Sequence, residues 1–261
     1  MGRFVTIGER IHCISPAIRA AMDNRDPEPI LARAREQLAA GANYLDVNIG
    51  PAESTGADLM SWAVQLLQSE LDNVPLCLDT ANRSALSAGL AVYNRSKGKP
   101  IINSADAGDR IEIIDLAAEG DAIILALCSS HGVPADNDER MAFCQQLLER
   151  AMEHGIDTED IWFDPLFLVI KGMQDKLMDV LEFVRMCTDM GLHTTGGLSN
   201  VSNGMPNGIR SIMDAAMVAM AMANGLSSGI VNPCDHRVME MIKSCDIIRN
   251  NNLYADSYLE I

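Results

Sequence analysis

Lysine is scarce in this chain. Only Lys97, Lys99, Lys171, Lys176 and Lys243 occur in 261 residues, and with arginine they make 20 cations against 36 acidic residues, a net charge of −16. Such a chain repels a polyphosphate backbone, and no basic stripe offsets the repulsion, so nucleic acid is not expected as a partner. Aromatics are rare at 4%, which leaves core filling to 16 methionines and the aliphatic residues. Paired cysteines are missing too. The seven, at 13, 77, 128, 144, 187, 234 and 245, are an odd number with no CxxC, which argues against a disulfide framework and against a zinc ribbon. Most lie in apolar runs, where cysteine behaves as a small hydrophobe, and a cytoplasmic, reducing setting fits best. No apolar run is long enough for a bilayer, the most apolar stretch being Ala215–Ala223, and Met1-Gly2-Arg3-Phe4 leads into no export signal. No membrane partner is expected. Neither a GxGxxG after a strand nor a GxxxxGK[ST] loop is present, so no nucleotide cofactor is implied.

What remains is ordinary for a globular protein: 48% hydrophobic and 21% charged residues. At this length roughly three quarters of the unfolded surface can be buried. Short apolar runs alternate with longer amphipathic segments. The runs are Phe4–Ile7, Tyr44–Ile49, Pro75–Leu78, Pro100–Ile102, Ala122–Leu127, Ile161–Phe163, His193–Gly196 and Gly229–Val231. Between them, Asp26-Pro27-Glu28 opens a helix that places Ile30, Leu31, Ala34 and Leu38 on one face and closes at Gly41. A second starts near Asp136–Asp138, with Met141, Cys144, Leu148 and Ala151 on one stripe. A third buries Leu177, Leu181 and Val184 and stops at Gly191. The segment Ile212–Ala223 is apolar nearly all round and calls for cover on all sides. Eight βα repeats predict an α/β protein, a (β/α)₈ TIM barrel.

In such a barrel the active site lies at the C-terminal ends of the strands. The first run ends in Gly8-Glu9-Arg10; the second carries Asp46 and Asn48, the third Asp79, the fourth Asn103-Ser104. The sixth ends in Asp164-Pro165, the seventh in Gly197-Leu198-Ser199-Asn200, and the eighth in Asn232-Pro233-Cys234-Asp235. Any one Asp or Asn here is as well explained by turn or cap chemistry. Seven of eight together supply acceptors and amides with almost no cation. A sugar phosphate would want the reverse. The pattern suits a neutral heterocycle rich in N–H donors, such as a reduced pterin, whose amino-pyrimidine edge a carboxylate can accept with both oxygens.

The strings Gly8-Glu9-Arg10-Ile11, Leu45-Asp46-Val47-Asn48-Ile49-Gly50-Pro51, Leu76-Cys77-Leu78-Asp79, Ile102-Asn103-Ser104, Phe163-Asp164-Pro165-Leu166 and Gly197-Leu198-Ser199-Asn200-Val201-Ser202 resemble the pterin-binding methyltransferases. That group includes methyltetrahydrofolate:corrinoid iron–sulfur protein methyltransferase, the folate domain of cobalamin-dependent methionine synthase, and dihydropteroate synthase. The similarity runs in order over essentially the whole chain and is nearest to the first of these. It extends to the tetrahydrofolate methyltransferase of anaerobic demethylase systems.

The resemblance implies one pterin-binding barrel domain over residues 1–261, commonly as a homodimer. It also implies methyl transfer between N5 of (methyl)tetrahydrofolate and the cobalt of a cobalamin or other corrinoid. Asp79, Asn103 and Asp164 are implied as pterin-ring ligands and Asn200 as the residue facing N5, with Asp164 and Ser199 in its network. The wider pocket is expected to include Glu9, Asp46, Asn48, Ser104, Gly197 and Arg210. Relatives carry an arginine several residues after the motif asparagine. Here the next one is Arg210, which either fills that place from a shifted position or leaves the contact missing. No DxHxxG cobalamin-binding sequence is present, so the corrinoid is expected on a separate protein.

His12, Cys13, Cys234 and His236 are too few and too poorly spaced for a zinc site, and no metal is expected. Lys171 reads as a solvated loop lysine and His131 as a turn residue. Two alternatives stay open: a dihydropteroate synthase-like enzyme, which needs cations for a pyrophosphate leaving group, and a non-catalytic folate-binding subunit.

Overall fold

The computed structural model describes residues 2–52, 54–72 and 74–259. Its eight strands are β1 (Val5–His12), β2 (Tyr44–Asn48), β3 (Leu76–Asp79), β4 (Ile101–Asp106), β5 (Ile123–Leu127), β6 (Ile161–Asp164), β7 (His193–Thr194) and β8 (Ser228–Val231). The helices are α1 (Pro16–Asn24), α2 (Pro27–Ala39), α3 (Gly56–Glu70), α4 (Arg83–Val92), α5 (Ile113–Glu119), α6 (Asn137–Glu153), α7 (Ile170–Met173), α8 (Leu177–Asp189), α9 (Asn207–Ala223) and α10 (His236–Ile248). Neighbouring strands pair in parallel, in the order β7-β6-β5-β4-β3-β2-β1-β8. The two ends of that sheet meet. Gly197 bridges Ile230, the Ile230 N–H donates to the Gly196 carbonyl at 2.9 Å, and the Ser227 N–H donates to the Thr194 carbonyl at 3.3 Å. The sheet closes into the expected barrel, and each of the eight apolar runs contributes a strand.

Alternation along the strands decides what faces the axis. Ile7, Cys77, Ile101, Ile123, Leu125 and Trp162 form a buried cluster inside the barrel, with Val5, Tyr44 and Ile230 against it. Their sequence neighbours Leu45, Val47, Leu76, Leu78, Ile102, Ile124, Ala126 and Phe163 face outward and pack against the helices. Two residues further along the inward-facing rows, the chemistry changes. Ile7 gives way to Glu9, Tyr44 to Asp46 and Asn48, Cys77 to Asp79, Ile101 to Asn103, and Trp162 to Asp164. The barrel is thus apolar at its N-terminal end and polar at its mouth. Only β5 stays apolar, ending in Leu127.

The helix punctuation works as read. Asp26 Oδ1 accepts from the Glu28 N–H at 3.2 Å, and Asp136 Oδ1 accepts from the Glu139 N–H at 2.9 Å. In α6, however, the buried face is shifted by one position: Arg140, Cys144, Leu147 and Ala151 are buried, while Met141 and Leu148 pack only partly. Periodicity pointed to the apolar neighbours, but the Arg140 guanidinium finds a buried carbonyl to bond and takes the inner place. In α9, Ala215, Met217, Val218, Ala221 and Met222 are buried against the barrel, whereas Ile209, Ile212 and Met220 are exposed. Among the described residues no helix is long and apolar enough to cross a membrane.

Candidate active site

A cavity of about 800 Å³ opens at the C-terminal end of the barrel, and all eleven site residues expected from the sequence line it: Glu9, Asp46, Asn48, Asp79, Asn103, Ser104, Asp164, Gly197, Ser199, Asn200 and Arg210. Register sets the floor, because Asn48, Asp79 and Asn103 are aligned partners on β2, β3 and β4. The Asn48 amide donates to Asp79, and Asn103 Nδ2 reaches Asp46 Oδ1 at 3.5 Å. Each floor carboxylate thus has an amide beside it, but none has a lysine.

Burial governs how these carboxyls hold protons. Asp46, 3% exposed, is pushed well above the usual carboxylate range by burial and by the neighbouring Asp79 charge. Burial raises Asp79 to about 6, held back by the Asn48 amide and by Arg110. Asp164 rises to about 7, again through burial, with only the Leu166 N–H at 2.8 Å favouring its ionised form. Desolvation also raises Glu9, against the Ser199 hydroxyl, which donates to Glu9 Oε1 at 2.8 Å. Each of these buried carboxyls has few donors for its two oxygens, and a ligand rich in N–H groups would supply more.

Two local devices aim the side chains. The β1 register shifts between Gly8 and Ile11. Gln37 lies so close there that a Cβ on Gly8 would meet its Oε1 at 2.6 Å, while that oxygen accepts from the Arg10 N–H at 2.9 Å. Glycine admits the glutamine, and Glu9 projects into the mouth. Beside it, on the helical turn Leu198–Ser202 whose Ser199 bonds Glu9, Asn200 is exposed. A Cβ on Gly197 would meet the Asn200 amide nitrogen at 2.8 Å, so the missing side chain makes room for the carboxamide. Asn200 Oδ1 accepts from Asn203 Nδ2 at 3.4 Å. Arg210, reaching over from α9, donates to Ser202 Oγ at 3.1 Å and to Asn203 Oδ1 at 3.4 Å. Arg210 thus lies at the mouth, where it braces the turn that carries Asn200.

The structure adds residues that the sequence did not assign to the pocket. Asp214 of α9 lines the cavity, 8% exposed, with a buried carboxyl oxygen that finds no hydrogen-bond partner among the described residues. A lone acid on the stripe it shares with Met217, Val218 and Ala221 was the available signal. His12 lines the mouth with its buried Nδ1 unpartnered, and burial and Arg10 lower its pKa. Arg10 and Arg210 are the lining cations; Arg10 is paired with Glu36 at 3.0 Å. Lys171 is exposed and donates to the Gly204 carbonyl at 3.1 Å, and His131 lies in a separate loop depression. Among the described residues no group of three or more His, Cys, Asp and Glu side chains is arranged to hold a metal ion.

The profile of the pterin binding enzyme family matches residues 16–232. The chain belongs to the pterin-binding enzymes. A methylcorrinoid:tetrahydrofolate methyltransferase of Eubacterium limosum is 24% identical over 97% of this chain and 94% of its own length. A methionine synthase of Mycobacterium leprae is 26% identical over 87% of this chain, which spans only 20% of that longer protein. Among solved structures, Yersinia pestis dihydropteroate synthase with a pterine-sulfa conjugate superposes with a TM-score of 0.73 at 18% identity, covering 95% of each chain. The Coxiella burnetii dihydropteroate synthase in complex with pteroic acid gives 0.73 at 16% identity, over 97% of this chain and 95% of the other. At those identities the structural likeness establishes the barrel fold of this pterin-binding enzyme.

Proposed function

We propose that this pterin-binding enzyme moves a methyl group between N5 of tetrahydrofolate and the cobalt of a corrinoid carried by a separate protein. One observation carries the reading: buried carboxyls with few donors line the floor, and the rim beside them presents exposed neutral carboxamides, Asn200 among them. Asp79, Asn103 and Asp164 accept from and donate to the pterin edge. Asn200 faces N5, Ser199 and Asp164 support it, and Glu9, Asp46, Asn48, Ser104, Gly197 and Arg210 complete the pocket. N5 of methyltetrahydrofolate is a poor leaving group until it gains positive character. When N5 has taken a proton from solvent and the methyl carbon accepts the electron pair of cobalt(I), the C–N5 bonding pair returns to nitrogen as the neutral amine, and a carboxamide can bond N5 before and after. In reverse, Asn200 positions N5 for attack on methyl-cobalt(III).

A full-length relative whose name states this reaction supports the reading. Dihydropteroate synthase chemistry needs a cationic cradle for pyrophosphate. Here the lining arginines are already engaged, Arg10 with Glu36 and Arg210 with Ser202 and Asn203. We place the enzyme in the cytoplasm, where its seven free thiols fit a reducing milieu. We also read it as a homodimer through the exposed side of α9. The deciding experiment incubates the protein with methylcob(III)alamin and tetrahydrofolate. Catalysed loss of the methyl-cobalt absorbance is expected. Stoichiometric folate binding without turnover, even with a reduced corrinoid protein, would leave only a folate-binding subunit.

A further inference from the structure

Arg140 is a fully buried arginine, 1% exposed, near the start of α6. Among the described residues it forms no ion pair. Burying a guanidinium without a carboxylate is unfavourable, and a methionine would fill the space without that penalty. Its contacts indicate what the charge is for. One nitrogen donates to Asn137 Oδ1, and the plane lies 5.9 Å from the Phe183 ring centroid. The remaining bond, from Nε, runs 3.0 Å to the Pro165 carbonyl.

That carbonyl shares its peptide unit with the Leu166 N–H, which donates to Asp164 Oδ1 at 2.8 Å. Guanidinium, peptide and carboxyl therefore form one continuous line of hydrogen bonds from α6 to the mouth. Leu166 sits at φ +67°, a left-handed conformation that an L-residue adopts only when its surroundings impose it. We propose that Arg140 is a positioning residue of the pterin site: by gripping the Pro165 carbonyl it orients and polarises the single backbone N–H that holds the Asp164 carboxylate. The inference rests on the reading of Asp164 as a pterin ligand.

A cationic donor on one end of a peptide makes the N–H at the other end a stronger donor, since hydrogen bonds in series reinforce one another. The ionised form of Asp164 gains most, and burial otherwise drives it toward the neutral acid. The other group facing Asp164 is the Cys128 thiol from the end of β5, which burial keeps neutral. Asp136 and Glu139 on α6 and Asp179 on α8 act on Arg140. Asp79 titrates at about 6 in the same mouth but has no bond to this line, so it serves as an internal reference.

The test is calorimetric binding of methyltetrahydrofolate to the full chain between pH 5.5 and 9. In the unaltered protein, affinity should fall as pH drops through about 7, where a proton competes for Asp164. Arg140→Met should move that step up by about one pH unit, which is about a fivefold loss of affinity at pH 7, close to tenfold below about pH 6 and little at pH 9. The step near 6 should stay in place. Arg140→Gln keeps a neutral donor for the carbonyl and should fall between the two; if Arg140→Met does not fold, Arg140→Gln carries the comparison. Folded variants with an unmoved upper step would overturn the proposal, whatever their loss of thermal stability, because a space-filling role predicts that result. Asp164→Asn separates the two readings. If it removes the upper step while the Arg140 variants do not shift it, only the role of Arg140 fails. If it leaves affinity and profile unchanged, the assignment of Asp164 itself fails.

Discussion

Asn200 is exposed at the mouth, and its side chain is bonded only weakly, through a 3.4 Å contact with Asn203. In the proposed complex the floor residues hold the ligand collectively, so loss of one rim amide should leave most ground-state binding intact. Its bond to N5 matters as charge changes there, and deleting a preorganised donor of that kind costs on the order of 10²-fold in rate. Asn200→Ala is therefore expected to lower kcat by about that factor with little change in KM for folate. A single-turnover rate that stays unchanged at saturating folate, with weakened binding, would make Asn200 a positioning ligand and sink the mechanism. Asp79→Asn should do the opposite. It exchanges an acceptor for a donor on a buried edge already occupied by the Asn48 amide. The mismatch should weaken folate binding by about 1–3 kcal/mol, read as a raised KM at nearly constant kcat.

At the scale of elements, most were legible from local pattern because strand alternation and helix caps are short-range. Asp26 and Asp136 cap the helices they were expected to cap. The misses have a common origin. Arg140 is buried in place of Met141 because of a carbonyl on another element. Strand β7 shrinks to His193–Thr194 because Gly196 and Gly197 instead close the barrel against β8. Helix α9 illustrates the same limit: its composition called for cover all round, and the barrel covers one side. The uncovered Ile209, Ile212 and Met220 lead to an element-scale prediction. Sedimentation should give the mass of two chains at micromolar concentration, and Ile212→Glu with Met220→Glu should give one. A single-chain mass for the unaltered protein would contradict the dimer.

For the whole molecule, the site is a thermodynamic load. Asp164 and Asp79 have folded pKa values of about 7 and about 6, above the ordinary 3.8, and Asp46 and Glu9 shift the same way. A carboxyl with a raised pKa stabilises the fold below its unfolded value, and that stability is lost as pH rises through the folded value. Between about pH 5 and 7.5 the carboxyls with lowered pKa, Asp106, Asp115 and Asp121, stay ionised in both states and add no slope. His12, lowered by burial, and Cys144, lowered by the neighbouring Cys128 and Cys187 thiols, oppose the trend against a larger set of raised carboxyls. The free protein should therefore melt at a higher temperature at pH 5 than at pH 7.5, and saturating folate should flatten the difference. A Tm that rises over this range in the free protein would count against the protonation pattern assigned to the floor.

The sequence by itself determined the barrel and which strand-end residues face its mouth. Both follow from a two-residue period and from which residue types end each strand, and neither needs knowledge of distant contacts. Tertiary structure alone decided how those residues are coupled. Ser199 meets Glu9 across 190 positions, Arg140 reaches the Pro165 carbonyl across 25, and Asp214 enters the mouth from a helix rather than a strand end. It also decided which carboxyls hold protons, because desolvation depends on what surrounds a group in space, and an aspartate reads the same in sequence whether it is buried or bathed in water.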